Sequence, residues 1–267
     1  MNAGMKPDSL LLEQDAKLSG WLNPVARMQE ALDRDELVLY CQPIAAFSGE
    51  DRFPMAEVLV RFRAEESSLM PPGEFLPVFE HYRMMPALDR WVVRSVVRHL
   101  ATGSRIARFS INLSNQTIED AAFSTSVAQA LMTSGIPGPS LLFEVDEAHL
   151  LGHTQAVERF AKAAKAIGCG LMIDGFGRRA VTFAPLKKLH VGYVKVDGTI
   201  VRKLLSSLSA ERKLRAILRV AEAFGFGVIA EMVEDQDILA RLKALGVSHA
   251  QGFGIQRPRP LADFAVA

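Results

Sequence analysis

The feature that most constrains the fold is an alternation of short apolar runs with longer stretches of helical periodicity. The runs that predict strands are 36–44, 55–62, 107–113, 140–145, 170–173, 191–196, 227–230 and 248–252. Helices are predicted between most of them, at 86–101, 121–134, 155–167, 210–224 and 235–245. Several runs are continuously apolar, which is typical of parallel strands that are buried on both faces. Eight strands in a chain of 267 residues therefore predict a (β/α) barrel.

The connection between the first two predicted strands separates this chain from a regular barrel. Residues 45–53 are too few for a parallel crossover, which needs about a dozen residues or more. The prediction is therefore an α/β protein with a modified (β/α)8 TIM-like barrel in which one strand is antiparallel. We expect this single domain to span 21–267, after a flexible N-terminal tail at 1–20. A doubly wound open sheet is the structural alternative, although no GxGxxG motif follows the first strand.

Composition excludes several classes of protein. Lys and Arg total 31 against 30 for Asp and Glu, and this balance argues against a nucleic-acid-binding protein. No apolar stretch approaches the roughly 18 to 20 residues that a membrane-spanning helix needs. Cys41 and Cys169 have no partner spacing for a disulfide framework or a zinc site. The first residues do not form a secretory signal, so we expect a cytoplasmic protein.

Polar side chains interrupt or end most of the predicted strands. They are Glu57, Asn112, Glu144, Asp174, Lys195, Glu231 and Gln251. Because the active site of a barrel lies at the carboxyl ends of its strands, we expect these side chains to converge. Carboxylate and amide oxygens suit hard cations such as Mg²⁺, Mn²⁺ or Ca²⁺, and a nearby lysine can orient a water or take its proton. Any single acid after a strand is more often a helix cap or a surface ion pair. A set in register around one barrel is harder to explain as caps.

Short motifs surround these residues in a fixed order. They are YCQPI, AEVLVR, INLS, FEVDE, IDGFG, VKVD, AEMVE, AQGFG and a closing RP. In order and spacing they resemble the EAL family, the cyclic di-GMP phosphodiesterases and their degenerate relatives, over about residues 21–260. Glu57 lies in Glu-Val-Leu, where the family has its name-giving Glu-Ala-Leu.

The resemblance implies a role for each matching residue. Metal ligands for Mg²⁺ or Mn²⁺ would be Glu57, Asn112, Glu144, Asp174 and Glu231. Nucleotide contacts would come from Gln42, Leu59, Arg61, Gln251 and Pro258. The catalytic set would be Lys195, which positions the attacking water, with Glu231 and Glu234. The segments 71–80 and 88–93 match two helices that follow the Glu-Val-Leu strand.

The chain departs from the family at the second metal position. Gly175 replaces the second aspartate of Asp-Asp-Phe-Gly, so one oxygen ligand of that metal is lost. The following loop, normally Gly-Thr-Gly-Tyr-Ser-Ser, here reads Gly-Arg-Arg-Ala-Val-Thr at 177–182. Its arginines are expected either to meet a phosphate or to lie in a solvated loop. Met232 replaces a glycine, and the rim at 81–83 also differs.

These features predict a degenerate EAL domain that binds cyclic di-GMP as a receptor, with weak or absent hydrolysis. One metal site is expected, because the loss falls on the second site. An active phosphodiesterase that produces linear pGpG is the first alternative. A protein-interaction module that no longer binds the nucleotide is the second. In the family, the loop that is altered here also supports dimerisation. Both a homodimer and a separate protein partner are therefore left open.

Overall fold

The structure is a computed structural model that describes residues 23–65, 68–178 and 183–266. Its helices are α1 Pro24–Asp33, α2 Pro72–His81, α3 Met85–Thr102, α4 Asn115–Glu119, α5 Ala121–Ser134, α6 Glu147–Gly152, α7 Thr154–Ala166, α8 Gly198–Val201, α9 Leu208–Phe224 and α10 Gln236–Ala244. Its strands are β1 Leu37–Ala46, β2 Met55–Glu65, β3 Ser68–Met70, β4 Arg108–Asn112, β5 Leu141–Asp146, β6 Gly170–Phe176, β7 Tyr193–Val196, β8 Gly227–Ala230, β9 His249–Ala250 and β10 Arg259–Pro260.

Eight of these strands close into a barrel. Strands β2, β4, β5, β6, β7, β8 and β9 are parallel neighbours in that order. Strand β1 closes the ring by pairing antiparallel with β2 on one side and with β9 on the other. This confirms the prediction of a modified barrel with an antiparallel strand. The closed ring also shows that the alternative of a doubly wound open sheet is wrong.

Two separate apolar layers hold the barrel together. The larger layer lies between the strands and the helices that surround them. Part of it is a cluster of aromatic rings, in which Phe143 lies 5.8 Å from Phe123 and 5.7 Å from Phe160 between ring centroids. The smaller layer fills the inside of the barrel. The free thiols of Cys41 and Cys169 are both buried in the larger layer.

Helix starts are fixed by capping side chains that directly precede the helices. The Ser114, Asp120 and Asp235 side chains each accept a hydrogen bond from a backbone N–H in the first turn of α4, α5 and α10. These bonds satisfy donors that have no partner within the helix. The aspartates that cap α6 and α8, Asp146 and Asp197, lie closer to the barrel mouth and are described with the site below.

The predicted strands and helices agree with the structure to within a few residues, with two physical exceptions. Strand β6 continues past residue 173 to Phe176, because a register shift at Gly175 lets Phe176 pair with Val196. Strand β9 is shorter than the predicted 248–252, because the chain turns at Gly252, where a Cβ would lie 2.1 Å from the carbonyl oxygen of Val233.

Some elements and boundaries cannot be predicted from the periodicity of apolar residues in the sequence. Helix α1 and strands β3 and β10 are too short or too mixed in polarity to predict. Helix α2 contains a proline, which hides it from the same reasoning, although the family resemblance indicates it. The predicted tail at 1–20 and the start of the domain at 21 lie outside the described residues. Within the described ranges, no helix has the length and apolar character to cross a membrane.

Candidate functional site

Inward-facing side chains of the barrel form two levels, one apolar and one polar. The apolar level consists of Ile44, Met55, Leu142, Met172 and Ile229, with Tyr193 packed against them. The polar residues of the same strands are Gln42, Glu57, Glu144, Asp174, Lys195 and Glu231. Each lies two positions nearer the mouth than its apolar counterpart. Because side chains alternate along a strand with a period of two, this offset places the polar level directly above the apolar one. This offset of two residues is present in the amino-acid sequence, although it was not among the sequence predictions.

Lys195 lies at the centre of the polar level. Its side chain is 1% exposed, and its ammonium nitrogen is 2.9 Å from Glu57 Oε2 and 2.9 Å from Glu144 Oε2. The same nitrogen is 3.0 Å from Glu231 Oε1 and 3.6 Å from Asp174 Oδ1. We call these five residues the Lys195 cluster. Strands β2, β5, β6 and β7 supply four of them, and Glu231 follows β8. The structure therefore brings these five side chains together, and their functional roles stay predictions.

Three amide side chains complete the polar level. Asn112 Nδ2 donates to Glu57 Oε1 at 2.7 Å, and Gln251 Nε2 donates to Glu57 Oε2 at 2.8 Å. Gln251 Nε2 also lies 3.2 Å from Gln42 Oε1, and Gln42 Nε2 donates to the carbonyl of Gln256 at 2.9 Å. Glu57 is therefore held by two amides and one ammonium, and its position in the barrel is fixed from three sides.

Burial and charge set the protonation of the cluster. Burial favours the neutral form of Glu57, but Lys195 and the two amides outweigh it and lower the pKa of this carboxyl. Burial, reinforced by the charge of Glu57, raises the pKa of Glu144 to about 8. Burial likewise raises the pKa of Glu231 to about 7, against the attraction of Lys195. Burial disfavours the charged form of Lys195, but the surrounding carboxylates outweigh this and raise its pKa.

The donor set fits a hard divalent cation. Four carboxyl groups face a single ammonium, and two of their buried oxygens, Glu144 Oε1 and Asp174 Oδ1, have no hydrogen-bond partner. Such oxygens are costly to bury and are the ligands that Mg²⁺ and Mn²⁺ prefer. Among the described residues, however, no three His, Cys, Asp or Glu side chains are already arranged as a metal site. Lys195 instead occupies the space between the carboxylates.

Four other predicted residues lie outside the Lys195 cluster. Leu59 and Arg61 are half-buried and continue β2 beyond Glu57. One Arg61 nitrogen donates to its neighbour's carbonyl at 2.8 Å, and the guanidinium lies 5.9 Å from the centre of the Tyr40 ring. Pro258 is half-buried between β9 and β10. Glu234 is exposed, and within the described part of the chain it has no ion pair with this cluster, so its catalytic role stays a prediction.

A second charged group lies at the mouth, and the sequence analysis missed its acidic members. Asp146 ends β5, Glu147 follows it, and Asp197 follows β7. We call these three residues the mouth acids. Arg178 bridges two of them, with its Nε 2.8 Å from Asp197 Oδ2 and its Nη1 3.8 Å from Asp146 Oδ2. Both Glu147 oxygens accept from the Gly177 N–H at 3.1 Å. The signal available in the sequence was an aspartate at or directly after the end of each of two strands, Asp146 and Asp197.

The other departures lie on the rim of the mouth. Met232 has a backbone φ of 53° and is 52% exposed. Its side chain covers Gly198, where a Cβ would be 2.5 Å from the Met232 sulfur. Arg83 also has a positive φ, of 56°. Arg179 and the following residues to 182 lie outside the described residues, so the structure does not address their predicted roles.

Comparison with protein families and curated sequences gives a consistent result. The family model for the EAL domain matches residues 25–258. The cyclic di-GMP phosphodiesterase PdeB of Shewanella oneidensis is 29% identical over 89% of this chain and 28% of its own length. PdeF of Escherichia coli, also a cyclic di-GMP phosphodiesterase, is 30% identical over 89% of this chain and 32% of its own. The chain thus spans about a third of the length of these relatives.

Solved structures share the same barrel. The PaMucR phosphodiesterase in complex with c-di-GMP has a TM-score of 0.81 and 26% identity, and the match covers 90% of this chain and 98% of that one. The EAL domain of FimX from Pseudomonas aeruginosa, bound to c-di-GMP, has a TM-score of 0.83. It is 24% identical and covers 91% of this chain and 99% of its own, so this second likeness concerns the fold alone.

Proposed function

The chain belongs to the EAL domain family, and we propose that it binds cyclic di-GMP as a receptor and hydrolyses it weakly or not at all. The observation that carries the proposal is at Gly175. This residue has no side chain, and the guanidinium of Arg178 lies over it, with Nη2 2.9 Å from where a Cβ would be. The nucleotide contacts that the resemblance implies are all present, so the loss falls on the chemical step rather than on binding.

The binding half of the proposal rests on the polar level and the rim. Gln42 and Gln251 are oriented by hydrogen bonds to each other and to fixed groups. Leu59 and Arg61 continue β2 beyond Glu57 toward the mouth, and Pro258 directly precedes β10, which pairs with β1 next to Gln42. Arg61 uses one nitrogen for its own strand, which leaves its other N–H groups for a phosphate of the dinucleotide. Relatives that are named cyclic di-GMP phosphodiesterases support this choice of ligand.

One divalent cation, Mg²⁺ or Mn²⁺, completes the proposed site. Glu57, Asn112, Glu144 and Asp174 would hold it, with Glu231 beside them. Such an ion would supply Lewis-acid polarisation of a phosphoryl oxygen. The chain's own groups have distinct tasks in this proposal. Lys195 orients a water or a phosphate oxygen by its N–H groups, and the neutral form of Glu231, with its raised pKa, holds a proton within reach.

A working phosphodiesterase is the second candidate function. The observation that favours it is the Lys195 cluster itself, since its acids and its lysine are brought together from five strands of the barrel or their ends. In that case water would add to phosphorus while one ester P–O bond breaks, and the linear dinucleotide pGpG would leave.

Calorimetric titration with cyclic di-GMP, in Ca²⁺ to suppress hydrolysis, tests the binding half. We expect a Kd in the micromolar range or below for the wild type. For Arg61→Ala the Kd should rise about tenfold or more, because a charge-assisted hydrogen bond contributes about 1.5 kcal/mol or more. Arg52→Ala is the matched control, since Arg52 is exposed in the turn between β1 and β2 at the opposite end of the barrel. No heat and no thermal shift at saturating nucleotide would sink both nucleotide-based functions.

Product analysis separates the receptor from the enzyme. The protein at high concentration is incubated with cyclic di-GMP and Mn²⁺ or Mg²⁺, and pGpG is measured by chromatography. Little or no pGpG after long incubation is expected for the receptor. Multiple turnovers within minutes, abolished by Glu57→Gln, would establish the phosphodiesterase instead.

A further inference from the structure

The mouth acids use their two carboxylate oxygens differently. Asp146 Oδ1 accepts from the Ala148 N–H at 2.7 Å and so caps α6. Asp197 Oδ1 accepts from the Thr199 N–H at 2.9 Å and so caps α8. The second oxygen of each, Oδ2, faces the guanidinium of Arg178. Capping therefore explains why aspartates follow these strands, and it leaves one oxygen on each free to hold a cation.

Gly175 leaves the space that the guanidinium of Arg178 occupies. Its φ is +64°, and an added Cβ would lie 2.9 Å from Arg178 Nη2 and 3.6 Å from Asp146 Oδ2. Any side chain at 175 would enter the space that the guanidinium now fills. This position of the guanidinium therefore depends on Gly175, because only a residue without a side chain leaves the space for it.

Asp174 connects this group to the Lys195 cluster. It pairs with Asp146 in the register of β5 and β6, and its Oδ1 is buried without a hydrogen-bond partner, 3.6 Å from Lys195 Nζ. Attraction to Asp174 also contributes to the raised pKa of Arg178, after the larger effect of its hydrogen bond to Asp197. The guanidinium of Arg178 thus lies between Asp146 and Asp197, and its charge is also attracted by Asp174.

We propose that Arg178 is a built-in counter-cation that holds the place of a divalent ion between Asp146, Asp174 and Asp197, so that the protein binds one divalent ion instead of two. With Arg178 present, these three carboxylates are not arranged as a metal site. Without the guanidinium they would be free to turn toward one hard cation, for which carboxylate oxygens are suitable ligands. With Arg178 in place, a second divalent ion must displace a charged group that is already paired, and like charges repel it. This inference rests on the proposed single-ion site at the Lys195 cluster.

Removal of Arg178 is the direct test. Mn²⁺ bound per chain is measured by equilibrium dialysis, with free Mn²⁺ read by electron paramagnetic resonance and no nucleotide present. We expect one ion for the wild type and two for Arg178→Ala. Arg202→Ala is the matched control, because Arg202 is an exposed arginine near the mouth whose side chain contacts Met232 rather than the acids. It is expected to bind one ion.

The electron paramagnetic resonance spectrum shows whether the second ion lies next to the first, and a further variant controls for poor folding. Two Mn²⁺ ions about 3.5 to 4 Å apart, as in paired metal sites, give a broadened, coupled spectrum that isolated ions do not. We expect this signal in loaded Arg178→Ala and its loss in Arg178→Ala/Asp197→Asn. Arg178→Gln, which keeps most of the side-chain volume, should behave like Arg178→Ala if that variant folds poorly.

The outcomes distinguish this inference from the proposed function. Two coupled ions in the wild type, or one ion in Arg178→Ala and Arg178→Gln alike, would overturn the role of Arg178 while leaving the single-ion site intact. No ion in the wild type but one in Arg178→Ala would support the role of Arg178 and refute the metal site at the Lys195 cluster. No ion in any variant would refute both.

Discussion

Within the barrel, one ammonium balances four carboxyl groups in a space from which water is largely excluded. Lys195 Nζ lies 2.9 Å from oxygens of both Glu57 and Glu144, and its side chain is 1% exposed. Removing one partner of a buried ion pair leaves uncompensated charge, which costs about 3–5 kcal/mol. We therefore expect Lys195→Met to lower the free energy of unfolding by about that amount at pH 8 in a chelator.

Two comparisons separate charge from packing in this variant. Lys188→Met is the matched control, because Lys188 is 75% exposed and makes one ion pair at 3.7 Å, so its loss should cost under about 1 kcal/mol. Urea unfolding monitored by circular dichroism gives both values. Millimolar Mn²⁺ should restore part of the stability of Lys195→Met, since a divalent ion can replace the lost positive charge. A loss that Mn²⁺ leaves unchanged would indicate a packing defect instead.

Gly175 and Arg178 are the two positions at which the proposed loss of hydrolysis is tested. Gly175→Asp brings back the acidic residue of the family motif, and aspartate tolerates a positive φ better than most residues. In the single variant the new side chain competes with Arg178 for the same space. We expect the double variant Gly175→Asp/Arg178→Thr to produce pGpG at least about tenfold faster than the sum of the two single variants, a non-additivity expected of residues in contact.

Initial rates of pGpG formation in Mn²⁺ measure this coupling. Gly175→Asn/Arg178→Thr is the control, because asparagine has the same shape and the same tolerance of positive φ but no negative charge. Equal rates for the aspartate and asparagine variants would mean that the missing carboxylate is not what limits turnover.

The sequence predicts the Lys195 cluster well because its members share one physical signature. Each is a polar residue within or at the end of a strand that is otherwise apolar, and such a residue must find a partner inside the barrel. Arg178 and the mouth acids carry no such signature. Asp146 and Asp197 look like ordinary helix caps, which they are, and the position of the Arg178 side chain depends on the bare backbone at Gly175.

At the scale of elements, a buried carboxyl on α3 anchors the helix that follows β4. Asp89 Oδ2 accepts from Thr117 Oγ1 at 2.6 Å and from the Ser114 N–H at 3.1 Å, which ties α3 to the start of α4. Burial raises the pKa of Asp89 from 3.8 to about 6, although these hydrogen bonds oppose it. The folded state therefore binds this proton more tightly than the unfolded state does.

The stability contributed by this proton is complete below pH 3.8 and is lost as the pH rises through about 6. The whole shift corresponds to about 3 kcal/mol, at about 1.36 kcal/mol per pKa unit. Because the unfolded carboxyl is already partly ionised at pH 4, we expect the wild type to lose about 2.4 kcal/mol relative to Asp89→Asn between pH 4 and pH 8. Urea unfolding at several pH values, in chelator, measures the difference. Asp33→Asn, at an exposed aspartate of α1, is the control and should show no such trend. A pH-independent difference for Asp89→Asn would contradict the raised pKa.

Element types follow from sequence wherever periodicity is long enough to read. Helix α5 and strand β8 occur at the predicted residues, since both are bounded by residues that end regular structure. Strand β6 is harder, because Asp174-Gly175 reads as a turn. Its backbone instead forms an irregularity and resumes pairing at Phe176. Tertiary pairing with β7 overrides the local preference at this point, and the sequence alone does not contain that information.

For the molecule as a whole, closure of the barrel depends on one strand that runs against the other seven. Strand β1 pairs with β2 along one edge, and with β9 and β10 at different positions along the other. The short connection at 45–53 made the antiparallel pairing predictable, because a parallel crossover does not fit it. The segment that covers β1 from outside was not predictable, since Leu261–Phe264 forms one short 3-10 turn.

Phe264 tests whether this covering segment is part of the cooperative unit. Its side chain is 8% exposed, and its carbonyl accepts from the Arg105 N–H at 2.8 Å, so it joins the last turn to the body of the barrel. Phe264→Ala should lower the free energy of unfolding by about 3–5 kcal/mol, the usual cost of removing a buried phenylalanine. Val266→Ala, at a position that is 56% exposed, should change it by less than about 0.5 kcal/mol.

Cooperativity decides how that loss appears. If the covering turn, β1 and the parallel strands unfold together, tryptophan fluorescence and far-ultraviolet circular dichroism should give the same lowered midpoint in urea for Phe264→Ala. Trp91 reports on this region, because α3 packs on the barrel beside β1 and the Trp91 indole donates to Asp35 at 3.0 Å, just before β1. A fluorescence transition that precedes the loss of circular dichroism would mean that the closing strand opens first. The ring of seven parallel strands would then be stable without its antiparallel member.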